Sequence, residues 1–65
     1  MVKCDFDHDT HTLIIHPTES GTVVGFADVQ QFKDNKVRRL IIDTGITQIG
    51  YNAFSGWSSI QTVEF

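Results

Sequence analysis

Val37-Arg38-Arg39-Leu40-Ile41-Ile42 and Ile60-Gln61-Thr62-Val63-Glu64-Phe65 carry the same arrangement of apolar residues, and the interval between them decides the reading of the fold. Val37, Leu40 and Ile42 map together onto Ile60, Val63 and Phe65 by a shift of 23 positions. A fainter copy, Thr10, Leu13 and Ile15, stands 27 positions before the first. The last two positions of each triplet alternate to one side of a strand, and the first anchors the chain just ahead of it. A spacing of about 20–50 residues is the mark of stacked supersecondary units.

The stretch between the strands is more specific. Gly45-Ile46-Thr47-Gln48-Ile49-Gly50-Tyr51-Asn52-Ala53-Phe54-Ser55-Gly56-Trp57-Ser58-Ser59-Ile60 closely resembles the repeat of BspA-like leucine-rich repeat proteins, in which G-[VI]-T-x-I-G-x-x-A-F-x-G precedes the next strand. Trp57 departs from the small residue or cysteine common there; it either covers an end of the core or anchors a partner. Upstream, Phe6, Asp9, Thr12, Leu13 and Ile15 look like the segment that leads into the first repeat, with Phe32 where the family often has tryptophan. The resemblance implies a β-rich α+β fold: a leucine-rich-repeat solenoid fragment with an N-terminal β-hairpin cap, short helical turns and short parallel strands. Residues 1–36 would form the hairpin and short-helix cap, 37–59 one full repeat, and 60–65 the first strand of another. It also implies a cell-surface or secreted protein of adhesion type that binds host or cell-surface proteins.

The residues themselves fill in the elements. Val2, Cys4 and Phe6 alternate with Lys3 and Asp5, the polar run Asp7 to Thr10 reads as a turn, and Thr12 to His16 resumes the β pattern, which predicts a hairpin over 2–16. Pro17 ends it and Thr18 to Gly25 reads as a loop. Phe26, Val29 and Phe32 fit one or two helical turns over 26–33, with Asp28 suited to the helix start, and Asp34-Asn35 makes a turn. Thr44-Gly45 turns into an extended Ile46 to Ile49, and Tyr51 to Phe54 fits a single helical turn. The expected core is Leu13, Ile15, Val37, Leu40, Ile42, Ile46, Ile49, Ala53, Phe54, Ile60, Val63 and Phe65, with Cys4 packed inward beside Val2 and Phe6.

Sixty-five residues make at most one small domain, too short for most enzyme scaffolds. Eight acids oppose five bases, and the bases are scattered, so the counterion-releasing patch of a nucleic-acid binder is missing. Lys36, Arg38 and Arg39 read as a solvated strand edge. A single cysteine allows no internal disulfide, no apolar run approaches the roughly 18 residues of a membrane span, and no signal-peptide pattern opens the sequence. The residues alone leave localisation open.

One segment invites chemistry. Asp5-x-Asp7 after a strand matches a phosphatase nucleophile pair, but that mechanism needs a parallel sheet with crossover helices that 65 residues do not supply. Asp5, Asp7 and Asp9 also begin like a calcium loop, which then fails where Thr10 replaces the turn glycine and His16 the bidentate glutamate. His8, His11, Asp7 and Asp9 remain metal-ligand candidates on a generic spacing. No catalytic group and no cofactor is expected.

The leading expectation is a non-catalytic interaction and capping module, with Arg39, Ile41, Thr62 and Glu64 on its binding face. Its partners would be adjacent repeats, or another copy of the chain at an uncapped C-terminal end. A self-assembling or domain-swapped module and a small metal-binding domain over Asp5–His16 are the alternatives. On the first reading His8→Ala and His11→Ala leave folding untouched, whereas Leu40→Ala and Ile49→Ala remove core.

Overall fold

The computed structural model describes all 65 residues. The expected hairpin forms from β1 (Lys3–Asp7) and β2 (Thr12–His16), paired antiparallel from Lys3 opposite His16 to Asp7 opposite Thr12. Its turn is built by Asp7, whose carboxylate accepts the amides of Asp9 (2.8 Å) and Thr10 (3.3 Å), while His11 takes a left-handed φ of 54°.

Two further strands, β4 (Arg39–Ile42) and β6 (Thr62–Glu64), add to β2 in parallel, giving one mixed sheet in the order β1-β2-β4-β6. Leu13 lies opposite Leu40, and Leu40 opposite Val63. The registers are therefore offset by 27 and 23 residues, the intervals of the sequence pattern. The corner before each strand repeats as well: the His11 carbonyl accepts from the amides of Arg38 and Arg39, and the Arg38 carbonyl accepts from those of Gln61 and Thr62.

A second, smaller ladder runs through the return path. β3 (Val23–Val24) pairs in parallel with β5 (Gln48–Ile49), extended by the Thr47 amide on the Thr22 carbonyl at 2.8 Å and the Gly50 amide on the Val24 carbonyl at 2.7 Å. Thr18 to Gly25 is thus more than a loop. Its two consecutive valines are too short a run to show alternation, and only the pairing with β5 makes them a strand. Between the two ladders the chain closes a tight turn at Gly45, whose φ of 103° favours glycine and whose missing Cβ leaves room for the Pro17 ring.

The helical segment is α1 (Phe26–Val29) followed by a 3-10 stretch over Gln30–Asn35, slightly longer than the sequence pattern. Asp28 acts as expected at its start, accepting the Gly25 amide at 2.9 Å. Asp34 and Asn35 belong to the helical stretch, and the reversal falls on Lys36 at φ 54°. Tyr51 to Phe54 does not form a helical turn. Asn52 sits at φ 68°, which breaks the right-handed path, so the Ala53 and Ser55 amides close successive turns on the carbonyls of Gly50 and Asn52.

The core lies between the inner face of the sheet and the return path: Val2, Leu13, Ile15, Val24, Val29, Val37, Leu40, Ile42 and Ala53 are buried, with Cys4, Phe6, Phe32, Ile46, Phe54, Trp57 and Ile60 packed against them. Trp57 stands edge-on to Phe54 at 4.9 Å between ring centroids. Three expected core residues are not core: Ile49 is 38% exposed, Val63 46% and Phe65 91%. They sit at the end where β5 and β6 are edge strands, with no further layer over them. Val24 and Val29 replace them in the interior. A radius of gyration of 10.8 Å agrees with the roughly 10.7 Å of a compact domain this long, so the return path packs onto the sheet. The molecule is a small α+β fold with a mixed four-stranded sheet.

Candidate functional site

Alternation sends every second strand residue away from the core, and the four strands place these residues in rows. Asp5, Ile14, Ile41 and Glu64 form one row, and Asp7, Thr12, Arg39 and Thr62 the next. All four residues expected on the binding face therefore share one surface. Arg39, Thr62 and Glu64 are exposed, and Ile41 is half-buried beside Ile14. Lys36, Arg38 and Arg39 do not mark a sheet edge, because β4 lies inside the sheet between β2 and β6.

Two of the four residues are paired with each other. The Arg39 guanidinium donates from Nε to Glu64, holding the Glu64 carboxyl below its ordinary range and raising Arg39 above its own. A second charge cluster flanks the other side of the isoleucines. His16 lies between two carboxylates, with Nδ1 2.8 Å from Asp43 and Nε2 3.1 Å from Asp5. The hydrogen bond from His16, then that from the Thr44 amide, depresses the Asp43 carboxyl. Carboxylates only accept, so the two His16 contacts are both hydrogen bonds when the ring carries both protons.

Sequence reading missed this cluster because it joins residues of β1 and β2 with the residue that follows β4. The signal was present: His16 and Asp43 are separated by the same 27 positions as Leu13 and Leu40, so applying the interval to polar positions would have paired them. The face thus has a half-buried Ile14–Ile41 pair flanked by two charge clusters, Arg39 with Glu64 and His16 with Asp5 and Asp43.

The metal-ligand candidates are not assembled into a site. His8, Asp7 and Asp9 are exposed on the hairpin turn, the Asp7 carboxylate is engaged with backbone amides, and His11 points elsewhere. The His11 Nδ1 lies 3.1 Å from both the Asn35 and Lys36 carbonyls, to which it donates, tying the hairpin turn to the end of the helical stretch. Asp5, the remaining acid of the calcium-like run, belongs to the His16 cluster on the sheet. Cys4 is half-buried, its thiol pushed up by burial and then by Asp28 and Asp5, which opposes nucleophilic use.

Comparison with protein-family models, curated proteins and solved structures gives no match.

Proposed function

We propose that the chain is a non-catalytic interaction module, the capping segment and first repeat of a BspA-like leucine-rich-repeat solenoid. The observation that carries this reading is the register: β2, β4 and β6 stack in parallel at the 27- and 23-residue offsets at which the apolar triplets recur. Residues 1–36 act as the cap, 37–59 as the repeat, and 60–65 as the strand that receives the next one. The capping role rests on an asymmetry. At the β1 end α1 and the 3-10 stretch cover the inner face, with Phe32 6.1 Å from Phe6 between ring centroids, whereas at the β6 end Val63, Phe65 and Ile49 are exposed.

The binding surface is the row face carrying Arg39, Ile41, Thr62 and Glu64, extended by Ile14 and His16, and its partners are other proteins, including those on host or cell surfaces. Appending two further repeats with the 23-residue spacing tests the reading. The longer chain melts at a higher temperature in one transition, because neighbouring repeats bury the exposed end. Added repeats that leave the melting temperature unchanged would refute it.

The exposed β6 edge also supports a second reading, a module that assembles with another copy through that end. Light scattering at increasing concentration separates the two, since only self-assembly raises the mass of the 65-residue chain.

A further inference from the structure

The cleft between the helical stretch and the turn before β6 holds polar groups that the sheet face does not use. Lys33, Asp34 and Lys36 line one wall, and Trp57, Ser58 and Ser59 the other, around an open volume of about 250 Å³. The ion pairs of the protein involve only His16 and Arg39 as cations, so both lysine ammoniums are free of carboxylates. Lys33, Asp34, Lys36 and Ser58 are exposed and Trp57 and Ser59 half-buried, so the polar groups of both walls face an open cleft. The Lys33 ammonium lies close over Gly56, where a Cβ would stand 3.3 Å from Nζ, so the glycine leaves room for it at the cleft.

In a chain with a net charge of −3, two unpaired cations beside one carboxylate make a local positive site. Its other components are not those of a plain anion site. Asp34 repels an anion, and an indole offers a flat apolar surface with one donor. We propose that this cleft binds a single acidic sugar ring, a carboxylate-bearing pyranose of the hexuronate class. The sugar carboxylate lies between Lys33 and Lys36 in charge-assisted hydrogen bonds. The C–H face of the ring packs against Trp57, ring hydroxyls donate to Asp34, and the Ser58 and Ser59 hydroxyls both donate and accept. A simple carboxylate leaves Trp57 and Asp34 unused, and a neutral sugar leaves two cations unmatched. The cleft is smaller than the roughly 300–1,000 Å³ of a drug-sized pocket, which suits one ring. The six residues come from the 3-10 stretch, the reversal that follows it and the turn before β6, all within the 65 residues, so the cleft needs no further repeat to form.

The test is titration of the 65-residue chain with sodium glucuronate, glucose and sodium acetate at constant ionic strength, read by calorimetry and by the fluorescence of Trp57, the sole tryptophan. Glucuronate gives saturable binding with a dissociation constant on the order of millimolar, as expected for one small ring, and glucose and acetate bind about tenfold or more weakly. Lys33→Gln combined with Lys36→Asn weakens glucuronate by roughly tenfold or more through loss of the charge-assisted contacts. Asparagine is chosen because Lys36 sits at φ 54°, a conformation asparagine adopts readily, and an unchanged melting curve verifies the fold. Absence of saturable glucuronate binding overturns the proposal, as does acetate binding as tightly as glucuronate, or undiminished binding in the folded double variant.

Discussion

His16 donates through Nδ1 to Asp43 at 2.8 Å across a register offset of 27 residues, the offset that sets Leu13 beside Leu40 on the opposite face of the sheet. The polar and apolar sides of the sheet thus record one alignment. The pair also fixes a pH dependence. Asp43, held down by His16 and the Thr44 amide, and Glu64, held down by Arg39, bind fewer protons folded than unfolded. Their contribution to stability is full above the ordinary carboxylate pKa and is lost as pH falls through the lower folded value. Thermal melts between about pH 2 and pH 6 show a shallower acid-side decline for Asp43→Asn than for the parent chain; equal slopes would count against the pairing.

The two ends of the core differ in what a truncation removes. Leu40 is 2% exposed at the centre of the sheet, and Leu40→Ala costs about 2–5 kcal/mol. Ile49 is 38% exposed on an edge strand, and Ile49→Ala costs less than about 1 kcal/mol. Urea unfolding of both variants measures the contrast.

The histidines of the hairpin turn separate in the same way. His11 bridges to the Asn35 and Lys36 carbonyls, so His11→Ala destabilises by about 1 kcal/mol, whereas exposed His8→Ala changes stability by less than about 0.5 kcal/mol. The sequence alone predicted that both would be silent.

Cys4 provides a probe of β1. Its thiol is raised by burial, then by Asp28 and Asp5, so alkylation of the folded chain at neutral pH is slower than alkylation in denaturant. Equal rates in the two conditions would show that β1 is open in solution.

Much of this fold is legible in the apolar pattern. The order of the parallel strands and their offsets follow from Leu13, Ile15, Leu40, Ile42, Ile60 and Val63, because strand alternation and a fixed interval leave one register that sets the strand positions among them on a single face. What escapes depends on neighbours distant in sequence. Val23 and Val24 become a strand only through Gln48 and Ile49, and His16 gains its role only beside Asp5 and Asp43. Val63 and Phe65 carry the right pattern for burial yet are exposed, because burial needs a second surface that periodicity does not supply. The face holding Arg39, Ile41, Thr62 and Glu64 was readable from alternation, but the Arg39–Glu64 pairing across it was not.

The hairpin that opens the sheet gives folding a direction. Its contacts, from Asp7 with Thr12 out to Lys3 with His16, close the shortest loops in the sheet, whereas β4 and β6 each arrive only after a return path, residues 17–38 and 43–61, is ordered. Loop-closure entropy therefore predicts a zipper that starts at the N-terminal hairpin and advances one strand at a time. On a ribosome the strands emerge in that same order, so each finds its template already folded when it leaves the exit tunnel.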